Sequence, residues 1–176
     1  RGLGDVYKRQ VPGRLQRIDE GQDYLAIVDY AHKPAAVAAV IATLRSEIKG
    51  RLCVVLGAGG DRDASKRAIM GREAARGSDL FIVTDDNPRS EDPAVIRAAV
   101  EAGAYELPTE ERGEVRNIGD RAAAIRAAIA WAEPGDAVLV AGKGHETGQN
   151  VNGVIHHFDD REEVRAALQE RRTGSL

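Results

Sequence analysis

Four short polar segments carry the side chains best suited to chemistry in this chain: Asp29-Tyr30-Ala31-His32, Gly57-Ala58-Gly59-Gly60-Asp61-Arg62-Asp63, Asp85-Asp86-Asn87-Pro88-Arg89 and Gly142-Lys143-Gly144-His145-Glu146. The sharpest is Asp86-Asn87-Pro88-Arg89. Asn87 offers a donor and an acceptor, Arg89 a planar fork of donors, and Pro88 fixes the angle between them. Such a set suits a ligand end bearing both a carboxylate and an ammonium group. As backbone alone, the same residues make a turn ahead of a helix capped by Asp92 and opened by Pro93. A turn, however, does not require an arginine two residues after an amide. Arg62 stands where a helix begins, and its fork can meet a ligand carboxylate there. The plainer reading, a solvated arginine paired with Asp61 and Asp63, stands beside it. Glu146 is placed to accept an ammonium group, and Gly142 and Gly144 suggest backbone pressed close to a ligand. Lys143 and His145 read as ordinary loop polarity. His32 is either a nucleotide or substrate contact or a structural histidine near a helix start.

Several chemistries are excluded. Gly57-Ala58-Gly59-Gly60 follows an apolar run as a dinucleotide fingerprint would, but the third glycine of that pattern falls on Arg62. No segment matches G-x-x-x-x-G-K-[ST], so the chain lacks a phosphate-cradling loop of its own and no catalytic residue is assigned to it. Four histidines and one cysteine show no metal-ligand spacing, and His156-His157 is a weak pair on an expected edge strand. Cys53 sits inside Leu52-Cys53-Val54-Val55-Leu56, which predicts a buried, inert thiol and no disulfide. The net charge of −3, with cations scattered rather than striped, argues against nucleic acid or an anionic membrane as partner. No apolar stretch approaches the ~20 residues that span a bilayer. With no signal peptide, a cytoplasmic location is expected.

The polar segments follow apolar runs. Leu25–Val28, Leu52–Leu56, Leu80–Thr84 and Ala137–Ala141 read as buried strands, Val115–Ile118 as a short one and Val154–Phe158 as an edge strand. Between them lie helical patterns. One opens at Pro34 and carries Val37, Val40, Ile41, Leu44 and Ile48, and another covers Ala64–Arg76. A third starts at Asp92-Pro93, and a fourth carries Ile118, Ala122, Ile125, Ile129 and Ala132. The last starts at Asp160 with Glu163, a capping-box-like pair, and carries Val164, Ala167 and Leu168. Continuous apolar strands alternating with helices predict an α/β domain, a mostly parallel sheet with helices on both faces. Ligands bind such sheets beyond the carboxyl ends of the strands, where all four polar segments fall. The 176 residues, 43% hydrophobic, suit one domain over 11–172. Arg1–Gln10 reads as an assembly scar on a fragment, and residues 173–176 as a fraying tail.

In order and spacing, Asp29-Tyr30-Ala31-His32-Lys33-Pro34, Gly59-Gly60-Asp61-Arg62-Asp63, Asp86-Asn87-Pro88-Arg89 and Ala141-Gly142-Lys143-Gly144-His145-Glu146 resemble the C-terminal, Rossmann-like domain of the Mur ligases. The branch is that of the UDP-N-acetylmuramoyl-tripeptide synthases. The resemblance runs from Val11-Pro12-Gly13-Arg14 almost to the last helix. It implies an ATP-dependent ligase that phosphorylates the D-glutamate carboxylate of UDP-N-acetylmuramoyl-L-alanyl-D-glutamate. The amine of meso-diaminopimelate then attacks, giving an amide, ADP and phosphate. By the same resemblance Arg62, Asn87, Arg89, Gly142 and Glu146 hold diaminopimelate, with Asp86 orienting the motif and Pro88 within it. Arg14 and Asp29, with Tyr30 and His32, would touch ATP when domains close. Ala35 stands where many members carry an acidic residue, so no role is carried onto it. Family members keep the P-loop, the Mg2+ site and a modified lysine in a central domain and UDP recognition in an N-terminal one. This chain is therefore expected to bind and position, as part of a monomer, and not to catalyse by itself. A folylpolyglutamate synthase would share the sheet but lack Asp-Asn-Pro-Arg. A stand-alone amino-acid or nucleotide sensor is the reading from another class.

Overall fold

Leu52–Leu56 and Ala137–Ala141 are buried at every position, as only central strands covered on both faces can be. The computed structural model describes residues 12–176, so the expectations for Arg1–Gln10 and Val11 lie outside the described residues. The elements are β1 (Gln16–Arg17), β2 (Leu25–Asp29), α1 (Pro34–Glu47), β3 (Leu52–Leu56), α2 (Arg67–Gly77), β4 (Leu80–Val83) and α3 (Pro93–Tyr105). They continue with β5 (Glu114–Asn117), α4 (Arg121–Trp131), β6 (Ala137–Ala141), β7 (Gly148–Val151), β8 (Val154–His157) and α5 (Asp160–Arg172).

The main sheet runs β1-β2-β6-β3-β4-β5, parallel throughout except for β1. Alternate strand residues serve two cores. Ile27, Val54, Phe81 and Leu139 pack with Val37, Ile41 and Leu44 of α1, Met70 and Ala74 of α2 and Val100 of α3. Val28, Cys53, Ile82 and Val140 pack on the other face with Ile125 and Ile129 of α4 and Val164 and Leu168 of α5. The chain thus leaves β2, β3 and β4 toward the face of α1–α3. After β6, inserted between β2 and β3, it passes to the opposite face. Neighbouring strand ends diverge there, and a crevice opens between them.

Three local expectations need correction. Val154–Phe158 is not an edge strand of the main sheet: β8 pairs only with β7, in a separate two-stranded hairpin. Its two-residue turn is Asn152-Gly153, both at positive φ (52° and 79°), the pattern Asn-Gly favours between right-twisted strands. The expected helix Ala64–Arg76 divides into a 3-10 turn, Ala64–Lys66, capped by Asp63, and α2. The cap of α5 is Asp159, which accepts the Arg161 N–H at 2.9 Å; Asp160 is fully buried. The last residues are exposed, with the Ser175 N–H donating to the Glu170 carbonyl at 2.8 Å.

Candidate binding site at the carboxyl edge of the sheet

The loops after β3 and β4 are fastened to each other before they can serve any ligand. Gly60 N–H donates to the Asn87 carbonyl at 2.8 Å, and a Cβ on Gly60 would lie 1.9 Å from the Pro88 carbonyl oxygen. Only glycine permits that approach. Asp61 N–H donates to Glu91 Oε2 at 2.6 Å, and the Asp61 carboxylate accepts the Ser90 hydroxyl at 2.6 Å and 2.8 Å. Arg67, with its side chain only 7% exposed, donates to the same Glu91 oxygen at 2.6 Å. These bonds have electrostatic consequences. The Ser90 hydroxyl holds the Asp61 carboxyl below the usual carboxylate range, and the Arg67 guanidinium does the same for Glu91.

Both loops carry a non-glycine residue in the left-handed region, Asp61 at φ +53° and Arg89. The φ of Arg89 is +52°, a left-handed conformation unfavourable for a side chain with a Cβ. Such a residue stays only where its surroundings over-determine it, at a price of order 1–3 kcal/mol. Here the β7–β8 hairpin does so: Arg89 N–H donates to the Asn150 carbonyl at 3.0 Å and its carbonyl accepts from Asn152 N–H at 2.8 Å. The guanidinium donates through Nη1 to the Gly60 carbonyl at 2.8 Å. Nη1 also donates to the Asn87 carbonyl at 3.5 Å, while Nε and Nη2 meet no acceptor among the described residues, so half the fork stays open.

Asn87 and Glu146 face the same space across a buried ammonium. Lys143 is fully buried, with Nζ 3.1 Å from Asn87 Oδ1, 3.4 Å from Asp86 Oδ1 and 3.5 Å from Glu146 Oε1. The expectation of ordinary loop polarity fails for Lys143, because only acceptors surround it. Asn87 Oδ1 also accepts the Asn150 N–H at 2.9 Å. The two donors fix the amide's orientation: its carbonyl is engaged, and its NH2 is the group left for a ligand. Gly142 has φ +115°, and a Cβ there would sit 3.2 Å from Asp86 Oδ2, so glycine lets the β6 end close on Asp86. Behind this edge Arg121 pairs with Asp160 through bonds of 2.8 Å and 2.7 Å, both side chains 0% exposed. Arg121 also donates to the carbonyls of Asp85 and Ala141, tying the ends of β4 and β6 together.

Arg62, Asp86, Asn87, Arg89, Gly142 and Glu146 line one cleft of about 430 Å³. Pro88 is not on its wall but buried against Gly60. Arg62 is exposed and donates to its neighbour's backbone, the Asp61 carbonyl at 2.9 Å, rather than to the aspartate side chains. Arg67 and Lys66 also line the cleft, and sequence reasoning missed both. An adjoining cleft of about 650 Å³ gathers Arg14, Asp29, Tyr30 and His32. Asp29 acts there on the backbone, accepting Leu15 N–H at 2.7 Å and Ala31 N–H at 2.8 Å. The Arg14 guanidinium lies 6.0 Å from the Tyr30 ring centre, and the His32 ring 4.7 Å from it. Tyr30, His32 and Lys33 line both clefts, so the two are continuous. His145 is exposed, and His157 pairs with Glu162 at 2.8 Å outside both clefts. Among the described residues, no three His, Cys, Asp or Glu side chains gather as metal ligands.

The domain is a three-layered α/β fold that presents half-open arginines and a held amide to one cleft at its carboxyl edge. The chain belongs to the Mur ligase family: residues 13–144 match the family described as "Mur ligase, glutamate ligase domain". A relative from Corynebacterium glutamicum, "UDP-N-acetylmuramoyl-L-alanyl-D-glutamate--2,6-diaminopimelate ligase", is 65% identical over 178 residues, covering 100% of this chain and 34% of its own length. A solved structure titled as the same kind of ligase superposes with a TM-score of 0.83 at 40% identity, covering 96% of this chain and 34% of that one. The chain thus spans about a third of the length of such relatives. A folylpolyglutamate synthase from Thermotoga maritima has a TM-score of 0.52 at 24% identity over 76% of this chain and 28% of its own, a likeness of fold alone. No helix among the described residues is long and apolar enough to cross a membrane.

Proposed function

We propose that this chain is the amino-acid-presenting domain of an ATP-dependent ligase that joins meso-diaminopimelate to UDP-N-acetylmuramoyl-L-alanyl-D-glutamate. One observation carries the reading: Arg89 is held in a strained backbone with half its fork open, beside the Asn87 NH2 and across from Glu146. Diaminopimelate has an amino acid group at each end. In this reading the distal carboxylate meets Arg89, Arg62 and the Asn87 amide, and the distal ammonium meets Glu146. Asp86, Pro88 and Gly142 shape the wall. The other end projects its amine toward the acyl phosphate. Nitrogen attacks the carbonyl carbon, the carbon–oxygen bond to phosphate breaks, and the amine gives up a proton. The adjoining cleft would close over ATP through Arg14, Tyr30 and His32, with Asp29 holding the Leu15 backbone beside them. Mg2+ is implied for the family, but the described residues do not build a site for it. Its ligands would lie in the remaining two thirds of the protein, with the UDP-linked dipeptide site. The same reading makes the enzyme a cytoplasmic monomer, without nucleic acid or membrane as partner.

Steady-state kinetics of the full-length ligase test this. Lysine resembles diaminopimelate but lacks the distal carboxylate, so it leaves the arginines unmatched and brings its ammonium beside them with no carboxylate to neutralise it. Arg89→Ala should lower kcat/KM for diaminopimelate tens- to thousands-fold, the usual range for truncating one partner of a hydrogen-bonded charge pair. Arg89→Lys should recover only part, because an ammonium lacks the fork. Lysine use should stay poor and change little. An unchanged ratio of kcat/KM for the two amino acids returns Asp86–Arg89 to the role of a turn.

A further inference from the structure

We infer that Lys143 is a positioning residue that decides which sides of Asn87 and Glu146 meet the amino acid. The inference rests on the reading that this cleft takes diaminopimelate. Lys143 cannot reach a ligand itself, because its side chain is 0% exposed. Its ammonium donates to Asn87 Oδ1 at 3.1 Å and Asp86 Oδ1 at 3.4 Å and forms an ion pair with Glu146 Oε1 at 3.5 Å, so it engages groups from two loops. Asp86 and Asn87 lie 57 and 56 positions away in the chain, so the contact joins the β4 and β6 ends.

Each of these contacts has a consequence on the cleft side. With Oδ1 of Asn87 turned inward to Lys143, the amide shows its NH2 to the cleft, the correct polarity for a carboxylate. With Oε1 of Glu146 drawn inward, Oε2 is the oxygen left for an ammonium. Lys143 also balances Asp86 and Glu146 from behind, which keeps those carboxylates from drawing Arg89 or Arg62 across the cleft and closing it on itself. Replacing the ammonium by an apolar group of similar length leaves the amide held by the Asn150 N–H alone and Glu146 held by nothing.

The test is a mutant cycle in the full-length ligase with meso-diaminopimelate as the varied substrate. Lys143→Met should raise KM for diaminopimelate about 10- to 100-fold, the scale for losing an orienting partner behind a ligand-binding group. KM for ATP should not change. Lys143→Gln, which keeps one donor for Asn87 Oδ1, should rescue in part. It also carries the cycle should Lys143→Met fail to fold. In a background of Asn87→Ala with Glu146→Gln, the Lys143 penalty on KM should largely vanish, because the groups it orients are gone. A penalty of equal size in both backgrounds, or an unchanged KM, overturns the inference while the proposed substrate stands. A wild-type enzyme that does not use diaminopimelate overturns the substrate reading, and this inference with it.

Discussion

The two ends of the parallel sheet are both rich in charge, yet they use it in opposite ways. At the amino end Asp136 accepts the N–H groups of Arg51 at 2.7 Å and Glu133 at 2.8 Å and pairs with the Arg51 guanidinium at 2.8 Å. Asp79 accepts the Leu52 N–H and pairs with Arg45, each at 2.8 Å. These carboxylates close the backbone at strand starts, where N–H groups would otherwise lack partners. At the carboxyl end the Asn87 NH2, half of the Arg89 fork and one Glu146 oxygen find no protein partner among the described residues. Polarity therefore does not separate a scaffold from a site in this fold. What separates them is hydrogen-bonding capacity left open toward a cleft.

The largest effect that can break this comparison comes from two arginines at the same end. Arg121 is fully engaged and 0% exposed, whereas Arg62 is exposed with most of its fork open. Removing one partner of a buried ion pair typically costs about 3–5 kcal/mol. Arg121→Ala should therefore lower the melting temperature by roughly 6–20 °C for a domain of this size. Arg62→Ala should shift stability by no more than about 0.5 kcal/mol, as surface replacements do. Thermal melts of the two variants side by side decide it, and equal shifts would mean that engagement does not separate the two roles.

A second effect, somewhat smaller, concerns the amino end. Asp136→Ala leaves two backbone N–H groups and the Arg51 guanidinium without their acceptor, which should cost about 2–4 kcal/mol. The domain would melt at lower temperature, but KM for diaminopimelate in the full-length ligase should be unchanged, since Asp136 lies at the far end of the sheet. A raised KM with unaltered melting would reverse the roles assigned to the two ends.

How much of this was legible in the sequence follows from the range of each interaction. Continuous apolar runs announce the central strands, and the polar residues that follow them mark the carboxyl edge. Asp92-Pro93 announces its helix because capping is local: Asp92 accepts the Ala94 N–H at 2.9 Å. The grouping of Arg62, Asn87, Arg89 and Glu146 on one cleft was legible because the topology of a parallel sheet brings strand ends together. Lys143 was not, since its hydrogen-bond acceptors Asp86 and Asn87 lie more than fifty positions away and a glutamate three residues on does not separate a buried loop lysine from a solvated one. Arg121 and Asp160, 39 positions apart, were hidden for the same reason. The left-handed backbone of Arg89 was illegible in another way. A non-glycine residue rarely adopts it, and the hairpin that enforces it was read as an edge strand when Asn152-Gly153 already signalled a two-residue turn.

The smallest predicted effect separates the two ends by their response to acid. Burial pushes the Asp136 carboxyl up, but the N–H groups of Arg51 and Glu133 and the Arg51 guanidinium outweigh it and hold the group below the usual range. At the carboxyl end Asp61 is also held low, by the Ser90 hydroxyl and N–H, but in full contact with solvent. A carboxyl whose folded pKa is depressed contributes stability that is fully present above its unfolded value of about 3.9. That contribution is lost as pH falls through the folded value, because the unfolded chain takes up the proton first. Melting temperature should therefore be flat from neutral pH to about 5 and fall below about 4. Asp136→Asn cannot titrate there, so its curve should start lower at neutral pH and fall less steeply in acid. Asp61→Asn should leave the shape of the curve nearly unchanged, because a solvated charge is screened. Added salt at 0.5 M, an ionic strength with a Debye length of only about 4 Å, should remove the part of the Asp61 contribution owed to Arg89 and Arg62, leave its Ser90 hydrogen bonds, and spare the contribution of Asp136. Melts from pH 7 to pH 3 at two salt concentrations measure all three curves. An Asp136→Asn curve parallel to wild type would show that the amino-end carboxylate does not carry the acid response, and would remove electrostatics from the contrast between the two ends.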